Sequence, residues 1–568
     1  MQGVLLKKAN TTFEAFLTEC VYDDIHGFVK LTKKEKQLIN HPYFRRLHFI
    51  KQNALAHFVF PGATHTRFSH SIGVLCIIEK MIQKLKTLPS WKIDITPFDH
   101  QIIRLAALLH DVGHYPLSHT IEECFKKYDE FFLDKPTLKH VQLETGVSFE
   151  EQNSNKKFRD DFINKISAKD SKIKNLLGDF LETRGYDSKF HHEEIAKTLI
   201  SNPKSPLYRY VSDILKDTYY NIYSEILPSN KVDSYLHLIG QIICGNPKYM
   251  HNEILLESDE EKNKYFILTL LLHSDLDADQ MDYMLRDTKN TGIQTTIRVD
   301  FLINNMDICY LRQRDGETRP ILCFNYKAFE SVQQFIFSKA YWYTEIILYD
   351  KVTILNIIAQ RIYLYHLVKQ YEIKSLNDFY EKFLFDEDKF IQFNDQEFWE
   401  QIYRLYKDET TPKIIKIMTE ILIGKLPIPK VIAIDKLPEV DKHIYMTNFV
   451  TQSKSATEKE EIYASINQNT NDKYFPIFYS NKFFKKSLGE KNDPYASRSI
   501  HILVSPCDSE DKCNKNCSKV EELLTPRKLG RNVIHKLMQK PTDFFETPTS
   551  HDKAFIEKCV VYDFNEII

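Results

Sequence analysis

Between Lys36 and Ile303, apolar side chains recur mostly three and four residues apart, as in Ile102, Ile103, Ala106 and Leu109, and again in Ile195, Leu199 and Ile200. That spacing lines one face of a helix, so it predicts a series of packed helices. The same period returns over residues 328–371 and 376–426. Beyond Pro427 it gives way to short β-type runs, Val-Ile-Ala-Ile at 431–434 and His-Ile-Leu-Val at 501–504, set among loops. The pattern predicts a mainly α fold with a C-terminal α+β part beginning somewhere between residues 360 and 430.

Two stretches break the pattern. Residues 128–190 are charged, lysine-rich and weakly periodic, which reads as an insertion with a helix near 162–177. Residues 458–495 are polar and aromatic without a period that assigns them. We therefore divide the chain into residues 1–355, carrying an insertion at about 128–190, and residues 356–568, helical at first and then α+β.

Composition narrows the classes of function. With 43% apolar and 27% charged residues in 568, the chain has enough apolar surface for a large core. A net charge of −2 gives no global basic field, although a local basic cleft stays open, so nucleic-acid binding is undecided. Ten cysteines without paired spacing predict a reducing cytoplasm. The opening MQGVLLKKANTTFEAFL lacks the apolar run of a signal peptide, and no stretch of about 18 apolar residues predicts a membrane span. Fifteen glycines form no phosphate-binding loop, so phosphates must be held by other means.

The chemistry concentrates in three words. In LAALLHDVGHYPLSH, residues 105–119, an apolar helix ends in adjacent His110 and Asp111, and Gly113 and Pro116 break it, which lets His110, Asp111 and His114 converge on an ion. Upstream, FPGATHTRFSHSIGV puts His70 on a helix; downstream, Asp275 to Asp287 stacks carboxylates at helical spacing. Imidazole and carboxylate together suit Mn, Fe, Mg or Zn. Taken singly, the His-Asp pair also reads as a cap or ion pair and the acidic run as a solvated face. Facing carboxylates, however, repel unless a metal or arginine lies among them.

These words, FPGATHTRFSHSIGV, LLHDVGHYPLSH and DADQMDYMLRD, in the order His…His-Asp…Asp, resemble the deoxynucleoside triphosphate (dNTP) triphosphohydrolase branch of the HD superfamily over roughly residues 20–355. The resemblance implies an HD-domain helical core. Its metal ligands would be His70, His110, Asp111 and Asp279, and Arg67 would touch the α-phosphate. It places His114, His119 and His192 around the reacting phosphorus, with His119 as general acid oriented by Glu122. Gln52, Tyr283 and Asp287 match positions that hold the sugar. It further implies a dNTP substrate, a nucleotide effector and a homo-oligomer.

The chain departs from the branch in several places. Gln280 stands where a phosphate-binding lysine is common; lysines of the insertion, such as Lys156 and Lys165, either restore that charge or belong to a solvated surface excursion unrelated to catalysis. Residues 348–351, Leu-Tyr-Asp-Lys, depart from the branch's YxHK word, so no role transfers to Tyr349 or Lys351. Guanine contacts of a regulatory site fall on Asn40, Arg45 and His48, so GTP is not the expected effector. Cys507, Cys513 and Cys517 form a loose cluster read as unligated thiols, and Trp342 reads as core. Other readings are an HD phosphodiesterase or nucleotidase on another phosphoester, and a nucleotide sensor without turnover.

Overall fold

A computed structural model describes residues 12–125, 190–245, 256, 258–274, 276–312, 318–347, 349–370 and 379–428, together with five strands at 431–432, 474–479, 499–504, 533–538 and 558–563. The fold is mainly α. The insertion, with its expected helix and lysines, and the cluster of Cys507, Cys513 and Cys517 lie outside the described residues.

The helix Pro97–Leu109 organises the core. It starts with Pro97 in its first turn and a reciprocal cap, Thr96 accepting from the Asp99 backbone and Asp99 accepting from that of Thr96. Every residue from Phe98 to Leu109 is buried, so the helix is central rather than amphipathic. Its polar positions are satisfied internally: Arg104 donates to both Glu35 oxygens at 2.8 Å and to Glu79, and Asp99 accepts from Lys264 and Tyr265. The long helix Arg67–Lys86 packs on it, and Ala278–Thr291 packs on Arg67–Lys86 from the other side. The pair His192–Ser201 and Ser229–Cys244 closes the bundle.

An N-terminal hairpin, Glu19–Asp23 antiparallel to Gly27–Leu31, lies over this core. Gly27 takes the left-handed conformation at its turn, φ +73°, which a side chain would oppose. Met306–Arg312 and Thr318–Asn325 form a second hairpin. The helical period expected over 328–371 is realised as two helices, Phe329–Trp342 and Asp350–Gln370, with a π-helical turn at Tyr343–Ile347 between them. The second of these helices crosses position 355. The apolar core likewise continues through Phe390, Phe398, Ile402 and Leu422. The two-part division at 355 thus stands as a proposed description of one continuous core.

The C-terminal strands join two sheets. Ser499–Val504 runs parallel to both Thr318–Asn325 and Val533–Met538, and Lys558–Asp563 lies antiparallel between Val431–Ile432 and Tyr474–Tyr479. The run expected at 501–504 falls on Ser499–Val504, and that at 431–434 coincides with Val431–Ile432 over its first half, residues 433–434 lying outside the described ones. Among the described residues no helix is long and apolar enough to cross a membrane.

Candidate metal centre and substrate site

Three helices bring the histidines and carboxylates together. His70 sits in the first turn of Arg67–Lys86, His110 and Asp111 follow the end of Pro97–Leu109, and Asp279 is in the first turn of Ala278–Thr291. His70 Nε2 lies 2.8 Å from Asp279 Oδ1 and 3.8 Å from Asp111 Oδ2; His110 Nε2 lies 3.5 Å from Asp111 Oδ1 and 4.0 Å from Asp279 Oδ1. All four expected ligands converge.

The donor set fits a divalent cation. His110 Nδ1 donates to the Ala107 carbonyl at 2.8 Å, and His70 Nδ1 donates to Asp282 Oδ2 at 2.8 Å. Each ring is thereby fixed in the tautomer that leaves Nε2 as a lone-pair donor. Among the described residues both Nε2 atoms are buried and make no well-aligned hydrogen bond, His70 Nε2 standing 2.8 Å from Asp279 Oδ1. His70, His110 and Asp279 offer one ligand atom each, all within 4.8 Å of one another. Asp111 joins them as a carboxylate: burial pushes its pKa up, but Arg67 and the surrounding histidines outweigh this and hold it well below the usual range. Mixed imidazole and carboxylate ligation admits Mn, Fe, Mg or Zn.

Asp282 has no role in the sequence reading, yet it anchors the centre. Besides His70 it accepts from His26 Nε2 at 2.7 Å and from Arg286 at 2.9 and 3.0 Å. Arg286 in turn bonds Asp23, whose carboxylate caps the hairpin turn at Ile25 and His26. This contact requires Gly73, because a Cβ there would lie 1.8 Å from Asp282 Oδ1. The i, i+4 spacing of Asp282 and Arg286 was the available sequence signal.

The acidic run is therefore not a solvated face. Asp277 caps its helix by accepting from the Gln280 backbone, and Asp287 Oδ1 accepts from His65 Nε2 at 2.6 Å. Gln280 does not reach outward. Its side-chain nitrogen donates to the Ser274 carbonyl, and its oxygen accepts from Lys339 Nζ at 2.5 Å. A cation is thus present at Gln280, supplied by helix Phe329–Trp342 among the described residues.

On the other side of Asp111 the remaining histidines gather. Asp111 Oδ1 is 3.6 Å from His114 Nε2 and 3.9 Å from His192 Nε2, and the rings of His114 and His192 stack at 4.0 Å. Gly113 makes this approach possible, since a Cβ there would sit 2.2 Å from the His192 carbonyl oxygen. His114 is fully buried with neither ring nitrogen hydrogen-bonded; burial, then Arg67 and His192, push its pKa well down, so it is neutral. Burial opposes the charged form of His192, but Glu193 and Glu122 outweigh it and raise its pKa. Glu122 accepts from His119 Nδ1 at 2.7 Å and from His192 Nδ1 at 3.3 Å through one oxygen, and faces His191 at 3.0 Å through the other. His119 is 64% exposed, at the mouth of the group.

Arg67 lies between the two clusters. Its Nη1 donates to Asp111 Oδ2 at 2.8 Å and its Nε to Ser118 Oγ at 2.9 Å. The loop that presents His114 and His119 is strained: Leu117 and Ser118 are non-glycine residues at φ +49° and +53°. Left-handed backbone costs about 1–2 kcal/mol per such residue.

The residues expected on the sugar side offer acceptors. Among the described residues Gln52 Oε1 and Asp287 Oδ2 are buried without a hydrogen-bond partner, and His65 links their segments by accepting from the Gln52 backbone through its carbonyl while donating to Asp287 through Nε2. Tyr283 lies 5.2 Å from the ring of Trp342, which is itself buried. At the expected effector position, His48 stacks on Phe68 at 3.6 Å.

The HD domain family model matches residues 67–169, which include Arg67, His70, His110, Asp111, His114, His119 and Glu122. The uncharacterized protein MJ1154 of Methanocaldococcus jannaschii is 38% identical over 124 residues, 22% of this chain and 25% of that protein. Deoxynucleoside triphosphate triphosphohydrolase SAMHD1 of Gallus gallus is 39% identical over 103 residues, 18% of this chain and 17% of that one. The matches thus span a quarter or less of these relatives. A crystal structure of a phosphohydrolase from Bacteroides thetaiotaomicron is 19% identical, with 85% of this chain and 91% of that one covered at a TM-score of 0.49.

Proposed function

This chain carries an HD domain similar to that of dNTP triphosphohydrolases, and we propose that it hydrolyses dNTPs to a deoxynucleoside and tripolyphosphate. The observation that carries the proposal is the arrangement along helix Ala278–Thr291. Asp279 faces the metal-type ligands, and Asp287, eight residues on and roughly 12 Å along the axis, offers a buried unpartnered acceptor. A substrate bridging the two has phosphate at one end and a hydroxyl donor at the other, which a nucleoside triphosphate provides.

His70, His110, Asp111 and Asp279 would hold the divalent ion, which when bound supplies Lewis acidity and lowers the pKa of water. Arg67 would share its guanidinium between Asp111 and an α-phosphate oxygen, placing charge where it develops. Water adds to the α-phosphorus, the bond from phosphorus to the 5′-oxygen breaks, and the 5′-oxygen takes a proton. His119 is the proposed donor, with Glu122 orienting it through Nδ1 so that Nε2 faces the substrate. Burial pushes the pKa of His119 down, whereas His192, which shares that carboxylate, has a raised pKa that keeps a proton at the group. Lys339 beside Gln280 would bear on the outer phosphates.

The test is incubation of purified protein with each dNTP and Mn or Mg, followed by identification of the phosphate product. Tripolyphosphate supports the reading; hydrolysis of cyclic dinucleotides or monophosphates in its place would favour the phosphodiesterase or nucleotidase alternative. The proposal extends to a homo-oligomer located in the cytoplasm, which sedimentation and fractionation test.

A further inference from the structure

The loop carrying His114 and His119 is held from a part of the chain far beyond the HD match. Asp395 opens helix Asp395–Lys407 and is buried. Its Oδ1 accepts from the Leu117 backbone N–H at 2.7 Å, and its Oδ2 accepts from the Lys51 backbone N–H at 3.0 Å. Leu117 and Ser118 are the two left-handed residues, so the carboxylate bonds the strained stretch itself. Lys51 precedes Gln52, and its carbonyl accepts from Ser118 Oγ at 2.8 Å, the same hydroxyl that accepts from Arg67 Nε.

A second tie runs beside the first. Arg46 donates through Nη2 to the carbonyls of Val112 and His114, each at 2.8 Å, and through Nη1 to the carbonyl of Phe393. Its guanidinium also lies 4.2 Å from the centre of the Phe390 ring. The segment from Phe390 to Asp395 therefore holds the turn between His110 and His119 directly at Leu117 and, through Arg46, at Val112 and His114.

We infer that Asp395 is a positioning residue of the candidate active site, acting on Arg67 and His119 through the backbone of Leu117 and Lys51. Its hydrogen bonds go to the backbone of Leu117 and Lys51 and to none of the proposed metal ligands. A left-handed stretch without glycine persists only where its surroundings over-determine it, and a charge-assisted bond from a buried carboxylate is one such determinant. The C-terminal helices are accordingly part of the catalytic apparatus. An HD segment cut before residue 390 would keep the metal-type ligands and lose the alignment of the groups around them.

The inference rests on the proposed dNTP hydrolysis for its kinetic readout, but not for its structural one. The full-length protein, Mn-loaded, is compared with Asp395→Asn and Asp395→Ala by hydrogen exchange at Leu117 and Lys51, by Mn stoichiometry, and by kcat and KM. Asn preserves size and keeps one acceptor, so it serves where Ala does not fold. The expected result is faster exchange at Leu117 and Lys51, unchanged Mn stoichiometry, and kcat lower by up to roughly 10²-fold, the scale of a small misplacement, with KM within about threefold. Unchanged exchange at both amides in the two variants overturns the inference. So does wild-type kcat alongside lost protection. If the wild-type protein hydrolyses no dNTP, the functional reading fails while the exchange data still decide whether Asp395 holds the loop.

Discussion

His70 donates through Nδ1 to Asp282 at 2.8 Å, so the ring that faces the candidate metal centre is aimed by a carboxylate three residues beyond the proposed ligand Asp279. Asp282→Ala should leave His70 free to rotate and weaken Mn binding by roughly 10–100-fold, the usual cost of losing such a partner. Gly73→Ala should do the same despite favouring the helix, because its Cβ would meet Asp282 Oδ1 at 1.8 Å. Mn titration followed by electron paramagnetic resonance reads the effect; wild-type affinity in both variants would show that Asp282 does not aim the ring.

Removing a ligand and removing a proton donor should separate. His110→Ala and Asp111→Ala are expected to abolish hydrolysis with helical circular dichroism retained. His119→Ala should keep its metal and lose roughly 10²–10⁴-fold in kcat. Normal turnover in that variant, together with loss in His192→Ala, would move the proton-donor role to His192, which hydrogen-bonds the same Glu122 oxygen.

Lys339 supplies the positive charge next to Gln280. Lys339→Ala should raise KM for dNTP by roughly tenfold, about the worth of one hydrogen bond to a charged group. Replacing residues 153–178 with a short Gly/Ser linker should change KM less than this. The opposite ranking would return the phosphate role to the insertion lysines.

Stability should fall in mild acid through His366. Burial is the main cause pushing its pKa down from 6.5 to about 4, with Arg404 adding to it. The unfolded chain therefore takes up a proton near pH 6.5 that the folded chain refuses until about 4. The contribution is complete above pH 6.5 and is lost as pH falls toward 4, at most about 3 kcal/mol. His366→Leu should shrink the difference in urea midpoint between pH 7 and pH 4.5; an unchanged difference would place the acid sensitivity elsewhere.

Local pattern and motif reached the helices and the cluster of His70, His110, Asp111 and Asp279, because helical period and short words are encoded within a few turns. What they did not reach spans long separations. His26 meets Asp282 across 256 positions and Leu117 meets Asp395 across 278, and nothing near either residue announces its partner. Helix Pro97–Leu109 hides its setting differently. Its polar residues Asp99, His100 and Arg104 look solvent-facing in a helical plot, yet each is buried and bonded. The break at Tyr343–Ile347 is likewise invisible in the apolar period, which continues across it.

Product analysis tests the account most directly. Full-length protein with Mn and each dNTP in water enriched in oxygen-18 should yield unlabelled deoxynucleoside and tripolyphosphate carrying the label on one terminal phosphorus, with no orthophosphate. Pyrophosphate with dNMP would contradict attack at the α-phosphorus with loss of the 5′-oxygen, and with it the assignment of Arg67 and His119 to that bond.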